Sequence, residues 1–312
     1  MPLPTNGTAR VSVWRAALAA LRRVGAGALD FVVRVYTKAG DDNIFFLSGG
    51  IAFNIMVAAV PFLLLLVAGF GFVLSWAVPD PAHTTVDYVL RILPPSQAVV
   101  GVTIKLVNDI VGRRTRFGIL GVVLFVWTST RLFGTLRSVL KEIFDLQEDR
   151  GIIAGKLFDM EMVVVAGSLF LANTGITLAL EAIHAFGQRW FARFGWQELP
   201  VVQDAWARVL AFAFTFLMFL LIYRFLPARR TPWRVSLVAA TFTSVVWELL
   251  KGLFAWYVSH VANYANTYGA LATLVILVFW IYYSAMVFIL GGEVAQVWDL
   301  QRIRRRQREM LE

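Results

Sequence analysis

Long apolar stretches dominate the chain and set its predicted architecture. Each is long enough to cross a hydrocarbon core of roughly 30 Å as a helix, and they lie at residues 51–76, 117–136, 161–184, 207–226, 235–258 and 268–294. Only helices or closed barrels span a bilayer, because lipid offers backbone groups no hydrogen-bond partners. Runs this long and uniformly apolar do not fit barrel strands. The sequence therefore predicts an all-α, polytopic membrane protein with about six transmembrane helices.

An amphipathic segment precedes the first apolar stretch. Residues 11–38 alternate aliphatic and basic side chains at helical spacing, a pattern typical of a helix that lies in the membrane surface. An ordinary amphipathic helix packed on the bundle is an equal alternative. Gly25 and Gly27 are expected to bend or break this helix. The resulting division is a cytoplasmic segment at 1–40, a membrane domain at 41–298 and a basic tail at 299–312.

The longest connection between predicted spans covers about residues 77–116. Pro94 and Pro95 are expected to split it into two short helices, and Ser96 to cap the second. An apolar stripe along 99–110 then predicts a helical hairpin packed over the outer mouth of the bundle. Simple packing is the favoured role for this hairpin, with a lid as the alternative.

Composition and charge agree with lipid as the solvent. Hydrophobic residues make up 59% of the 312 residues and charged residues 16%, with a mean hydropathy of +0.69; soluble domains average roughly 45–50% and 25%. Eighteen Lys and Arg residues flank the spans on the side of both termini, against eight on the other side. This bias predicts that both ends are cytoplasmic. The first forty residues lack the pattern of a cleavable signal peptide.

Polar and ionisable side chains inside the spans are the candidate functional residues, because such groups are costly in lipid. Pro61 is the candidate for a kink in the first span. Arg131, Glu248 and Lys251 together could line a polar cavity that attracts an anionic head group. Several plain structural roles compete: Glu248 and Lys251 are three residues apart and can neutralise each other, while Arg224 and Glu293 are near enough to an interface to snorkel. The full polar-cavity set is Asn54, Arg131, Glu181, Arg224, Glu248 and Lys251.

Soluble-enzyme chemistry finds little support. The three histidines, His83, His184 and His260, are far apart, and no metalloprotease, phosphate-binding or nucleophile-elbow motif is present. The absence of cysteine excludes a thiolate nucleophile and disulfides. No catalytic residue, metal or cofactor is therefore predicted. The expected partners are membrane lipids, with self-association left open, and no specific nucleic acid, because the basic runs sit beside apolar segments.

The order of short motifs along the chain resembles the YihY/BrkB family of bacterial inner-membrane proteins. The resemblance covers about residues 41–296. Each fragment alone is weak, but their order and spacing together are specific. They are LSGGIAF at 47–53, PFLL at 61–64, WTSTRLF at 127–133, LKEIF at 140–144, YRFLP at 223–227, PWR at 232–234, WE at 247–248, YGALA at 268–272, WIYYS at 280–284 and LGGE at 290–293.

The resemblance implies a six-helix inner-membrane protein of poorly defined activity. Family members are linked by name to virulence and serum resistance, one branch to export of lipid A precursors, and an older label is ribonuclease BN. The residues argue against that label, because charge alone in the arginine-rich tail gives only nonspecific contact with RNA. The hypothesis is a transporter or flippase-like protein for a lipid or another amphipathic anion. A non-transporting scaffold for envelope proteins or lipids is the alternative.

Overall fold

Helices account for all regular secondary structure in the described part of the chain. The computed structural model describes residues 25–77, 97–147, 151, 153–169, 171, 175, 200–260 and 270–311. Seven helices lie within these ranges. They are α1 at 25–41, α2 at Ile44–Ala77, α3 at Gln97–Ile143, α4 at 153–169, α5 at Pro200–Phe225, α6 at Trp233–His260 and α7 at Ala270–Glu309.

Four of these helices contain segments long and apolar enough to cross a membrane, which confirms the predicted all-α, polytopic class. The segments are Ile44–Val73, Thr115–Ile143, Trp233–His260 and Leu274–Glu309. The predicted fourth span corresponds to a shorter apolar segment, Val209–Phe225, inside α5. The predicted third span overlaps α4, and most of its second half lies outside the described residues.

Helix α3 corrects one part of the predicted outer hairpin, the second arm as a separate short helix. Its 47 residues run without a break from Gln97 to Ile143, so the second arm of the hairpin and the second span are one continuous helix. No proline interrupts this stretch, and every residue in it can therefore keep its backbone hydrogen bond. The first arm of the hairpin, including Pro94, Pro95 and Ser96, lies outside the described residues.

Helix α1 and its corner with α2 show how the chain enters the bundle. Gly27 lies inside α1, so the predicted break does not occur there, and the predicted bend stays a prediction. The α1 surface carries exposed apolar side chains, among them Leu29 at 66% and Tyr36 at 81%, while Ala39 near its end is buried. Asn43 then adopts a left-handed conformation with φ 51°, which Asn tolerates because its short polar side chain can bond locally. The placement of α1 on the membrane surface stays a prediction.

The buried core lies at one end of the bundle, here called the closed end. This end is formed by the α1–α2 corner, the C-terminus of α3 and the α5–α6 corner. Its core consists mainly of Ile51, Leu140, Ile143, Tyr223, Leu226, Val235, Ala239 and Ile289. The helices pack as α2 on α3, α2 on α7, α6 on α7 and α5 on α6. Toward its other end α2 exposes large apolar side chains such as Val73 and Trp76, as expected for contact with lipid.

Candidate functional site

The predicted pair in the fifth span forms within its own helix. Lys251 Nζ lies 2.7 Å from Glu248 Oε1, three residues apart on α6, and both side chains are about two-fifths exposed. A pair at this spacing largely neutralises itself. The role of the pair in a cavity stays a prediction, and the geometry favours the simpler role.

Arg131 lies on a different helix from that pair. Its side chain on α3 is exposed, and α3 packs chiefly on α2. Among the described residues, no hydrogen bond or ion pair joins Arg131 to Glu248 or Lys251. The structure therefore brings two members of the predicted three-residue cavity together and leaves the third outside their contacts.

The remaining predicted residues have local roles or lie outside the described ranges. Asn54 Nδ2 donates to the backbone oxygen of Gly50, 2.9 Å away on its own helix. Helix α2 continues through Pro61, which is buried; the kink stays a prediction. Glu181 lies outside the described residues.

Arg224 stabilises the corner between α5 and α6. Its Nη1 donates to the backbone oxygen of Thr231, and its Cζ lies 4.9 Å from the centre of the Trp233 ring. Thr231 Oγ1 in turn donates to the backbone oxygen of Tyr223 at 2.8 Å. The Arg224 Nε is buried without a hydrogen-bond partner. The cation thus serves the corner itself, through hydrogen bonds and a cation–π contact.

Glu293 corrects the expectation of a snorkelling side chain. It is 0% exposed on α7, and neither carboxyl oxygen has a hydrogen-bond partner. Snorkelling fails because the α1–α2 corner and the end of α3 close over this part of α7. The position of a residue along a span indicates its depth in the membrane but not which other elements cover its side chain. The sequence therefore gave no direct signal that Glu293 is buried.

A charged cluster lies beside Glu293 at the closed end. Lys38 Nζ donates to Asp42 Oδ2 at 2.8 Å and lies 3.4 Å from Asp145 Oδ2. Gln296 Nε2 on α7 donates to the same Asp145 oxygen at 3.2 Å. Burial disfavours the charge of Lys38, but the hydrogen bond to Asp42 and the surrounding carboxylates outweigh it and raise the pKa of Lys38. These residues, with Glu293, are called the Lys38 cluster.

The chain bends sharply at Asp145, which positions it for the Lys38 cluster. Asp145 is left-handed with φ 49°, and the Leu146 amide donates to the backbone oxygen of Lys141 at 3.0 Å. This is the Schellman arrangement that ends a helix and reverses the chain. In the sequence, Asp145 belongs to a run of acidic residues at 142–149, a pattern typical of a solvated surface. Nothing in the sequence shows that α1 packs against this run.

Two glycines bring α7 against its neighbours beneath the Lys38 cluster. A Cβ at Gly291 would collide with Thr243 Oγ1 and lie 2.8 Å from the Tyr223 hydroxyl, and one at Gly292 would lie 3.0 Å from Ile143 Cγ2. The buried Tyr223 hydroxyl is 2.8 Å from Thr243 Oγ1 and donates to the backbone oxygen of Phe288. Gly291 is therefore needed for the contact among α5, α6 and α7.

A buried ion pair joins α4 to α3. Arg137 Nε donates to Asp159 Oδ1 at 3.1 Å and Nη2 donates to Oδ2 at 3.2 Å. Asp159 is 4% exposed at its side chain and Arg137 15%. Gly155 allows the guanidinium to pass, since a Cβ there would lie 2.7 Å from Nη2. In the sequence, Arg137 contributes only to the charge bias that predicts the orientation of the spans. Nothing marks Asp159 as its partner, because the two residues lie on different helices and the sequence does not show how the chain between them turns.

An apolar cleft lies between α4 and α5 at the closed end, with one residue of α3 in its wall. It encloses about 480 Å³. Two charged residues, Arg230 and Glu161, contribute to an otherwise apolar lining, and the Arg230 Cζ lies 5.8 Å from the Phe225 ring centre. The apolar lining includes Phe133, Phe158, Met162, Ala166, Leu221 and Phe225. No predicted site residue belongs to this cleft.

The described ranges hold no group of three or more His, Asp or Glu side chains able to bind a metal ion. The described histidine, His260, contacts its own helix through Trp256 and Ser259. The described helices combine a closed, charged end, an apolar cleft and long apolar segments. Such a fold defines a polytopic, all-helical integral membrane protein.

Comparison with known proteins gives the family. The model of the family described as Virulence factor BrkB matches residues 35–311, and the chain belongs to this family. UPF0761 membrane proteins are among its relatives: that of Glaesserella parasuis serovar 5 is 28% identical over 182 residues, 58% of this chain and 62% of the relative. That of Chlorobium luteolum is 26% identical over 286 residues, 90% of this chain and 64% of the relative.

A further relative carries a different kind of name. The ribonuclease-like protein YfkH of Bacillus subtilis is 24% identical over 260 residues, 79% of this chain and 87% of the relative. The chain spans less than two thirds of the length of both UPF0761 relatives described above. No solved structure matches the chain.

Proposed function

We propose that this protein moves a lipid or another amphipathic anion within the bacterial inner membrane, as a transporter or flippase-like protein with both ends in the cytoplasm. The observation that carries the proposal is the apolar cleft of about 480 Å³ between α4 and α5. Ligand pockets commonly measure about 300–1,000 Å³. The cleft has the volume and the apolar walls that part of an acyl chain requires.

The charges around the cleft favour an anionic ligand. Arg230 lines the cleft, and Arg234 is exposed on the same corner. Glu161 is the acidic side chain in the lining, so cations outnumber anions near this corner. Arginine binds phosphate through paired N–H donors. An anionic head group at the corner with its chain in the cleft satisfies both parts of the lining.

Reconstitution into liposomes with a fluorescent lipid tests the proposal, because transbilayer movement exposes the probe to a quencher outside. Arg230→Gln removes the cation of the cleft, and Ala166→Phe fills its apolar wall. Arg229→Gln is the matched control, since it removes a neighbouring exposed charge that does not line the cleft. We expect movement above protein-free liposomes in wild type and Arg229→Gln, and a clear loss in the other two.

The same assay separates the cleft from the span-depth charges. Glu248→Gln and Lys251→Met are expected to move lipid at close to the wild-type rate, since these side chains pair with each other on α6. Background-level signal in the wild type and in every variant would remove the transport proposal. Loss in Glu248→Gln and Lys251→Met alone would transfer the site from the cleft to α6.

A non-transporting scaffold is the second candidate. The exposed apolar surface of α1, which includes Leu29, Val32 and Tyr36, favours it, because such a surface suits a partner as well as lipid. A scaffold gives no lipid movement in liposomes yet retains partners after mild solubilisation. The enzymatic name of the Bacillus subtilis relative has no counterpart among the described residues, and we propose a non-enzymatic role.

A further inference from the structure

The Glu293 carboxyl group is an ionisable group in the core of the closed end. It is completely buried on α7, and both of its oxygens lack a hydrogen-bond partner. The two preceding residues, Gly291 and Gly292, press this turn of α7 against Thr243, Tyr223 and Ile143. Water therefore has little room to solvate the carboxyl group.

The nearby cation is already engaged by other carboxylates. Lys38 contacts Asp42 at 2.8 Å and Asp145 at 3.4 Å, whereas no ion pair within 4.0 Å joins it to Glu293 among the described residues. Asp42, Lys38 and Asp145 are the charged groups that act on Glu293. The Tyr223 hydroxyl of α5 is another titratable group near this turn of α7, and it is occupied by Thr243 and Phe288.

This arrangement decides the charge of Glu293. If all three carboxyl groups were ionised, one lysine would face three negative charges, two of them at its own contacts. Burying an unpaired charge is far more costly than burying the neutral acid, and like charges nearby add to the cost. The neutral acid keeps the hydroxyl that a carboxylate lacks, so it can donate a hydrogen bond to Asp42.

We propose that Glu293 is a proton-binding site that stays protonated at neutral pH and whose loss of the proton loosens the contact between α7 and the α1–α2 corner. The ligand is the proton itself, and the acceptor is one carboxyl oxygen. Release of the proton leaves a carboxylate facing Asp42 and Asp145, which repels both. The inference is independent of lipid transport, because it concerns the Lys38 cluster and not the cleft.

Infrared difference spectroscopy on the purified full chain in detergent tests the protonation state. A protonated carboxyl group absorbs apart from a carboxylate and shifts in heavy water. We expect this band in the wild type at neutral pH and its loss in Glu293→Gln. Asp299→Asn, a carboxyl variant on the same helix outside the core, is expected to keep it. A wild type without the band, or a band that persists in Glu293→Gln, would overturn the proposal.

Thiol labelling tests the loosening. The chain has no cysteine, so Ala39→Cys places one thiol at a buried position beside Lys38. Comparing Ala39→Cys with Ala39→Cys/Glu293→Gln at each pH cancels the ionisation of the thiol itself. We expect equal labelling at neutral pH and several-fold faster labelling of the Glu293 chain at alkaline pH. A rate ratio that stays constant with pH contradicts the proposal, as does a Glu293→Gln chain that fails to fold, because glutamine is the neutral isostere.

Discussion

Asp159 of α4 receives both of its hydrogen bonds from the guanidinium of Arg137 on α3, through Nε at 3.1 Å and Nη2 at 3.2 Å. The carboxylate is almost fully buried, so the pair is shielded from water and salt. Removing the charge of one partner of a buried pair costs more than the lost attraction alone, because the desolvated partner loses the group that compensated its burial. The pair therefore controls how firmly α4, one wall of the cleft, is held to the bundle.

Asp159→Asn is expected to lower the free energy of unfolding by roughly 3–5 kcal/mol. The amide keeps the shape of the carboxyl group but removes the buried negative charge that accepts both N–H groups of Arg137. Thermal unfolding in detergent measures the effect. Arg137→Met combined with Asp159→Leu, which removes both charges, is expected to recover part of the loss. A single variant that unfolds like the wild type would contradict a structural role for the pair.

Gly291→Ala is expected to destabilise the chain strongly or prevent folding. The new methyl group would collide with Thr243 Oγ1 and approach the Tyr223 hydroxyl to 2.8 Å, and overpacking of this kind costs typically about 1–3 kcal/mol or more. Gly252→Ala on α6 is the control, since no atom lies within 4 Å of the position that its methyl group would take. The control should be as stable as the wild type or slightly more so, because alanine favours the helix. Equal melting temperatures for both variants would contradict this prediction.

Lys38→Met is expected to destabilise the closed end by about 1.5–3 kcal/mol at neutral pH, the range for hydrogen bonds to charged groups. The folded chain raises the pKa of Lys38, so the folded state holds this proton more tightly than the unfolded state. The stabilisation is fully present below the ordinary lysine pKa of about 10.4 and is lost as pH rises through the folded value.

Chemical unfolding of wild type and Lys38→Met across pH checks this sign. The stability difference between them should be constant from about pH 7 to 9 and shrink above about pH 10.4. Arg34→Met is the control on the same helix, because its partner Asp30 is exposed and lies outside the Lys38 cluster. A stability difference between the two chains that grows as the pH rises above about 10.4 would contradict the prediction.

Glu248→Gln and Lys251→Met are each expected to change stability by less than about 1 kcal/mol. Their pair is confined to one helix, and polar contacts between side chains within membranes average only about 0.6 kcal/mol. A double-mutant cycle in the same detergent measures the coupling between them. A coupling well above 1 kcal/mol would show that the pair is more deeply shielded than its exposure indicates.

Four of the six predicted spans are confirmed, because hydropathy over twenty residues depends on the solvent and not on neighbours. Within a helix, spacing also sufficed: Glu248 and Lys251 meet as their three-residue separation allows. The continuity of α3 was not predicted. Pro94 and Pro95 indicate a break before this helix, but they do not indicate where the helix ends. A proline-free run gave no position at which to end it.

The polar contacts of the closed end were not predictable in the same way. Lys38 and Asp145 are 107 residues apart, and their meeting depends on how two corners turn. Glu293 was assigned to an interface because its distance along α7 is consistent with one. Its burial depends on α1, whose sequence shows an amphipathic helix but not which surface covers which residue. The cleft was missed for a similar reason, since three separate elements form its walls.

The length of α3 has a mechanical consequence. At 1.5 Å per residue its 47 residues extend about 70 Å, more than twice the roughly 30 Å of hydrocarbon it crosses. Its C-terminal turns are packed into the closed end through Arg137 and Ile143, and a straight helix of this length extends well past the hydrocarbon. A tilt of about 5° at the fixed end would displace the Gln97 end by roughly 6 Å. A small change in the tilt of α3 at the closed end therefore produces a larger displacement at its Gln97 end.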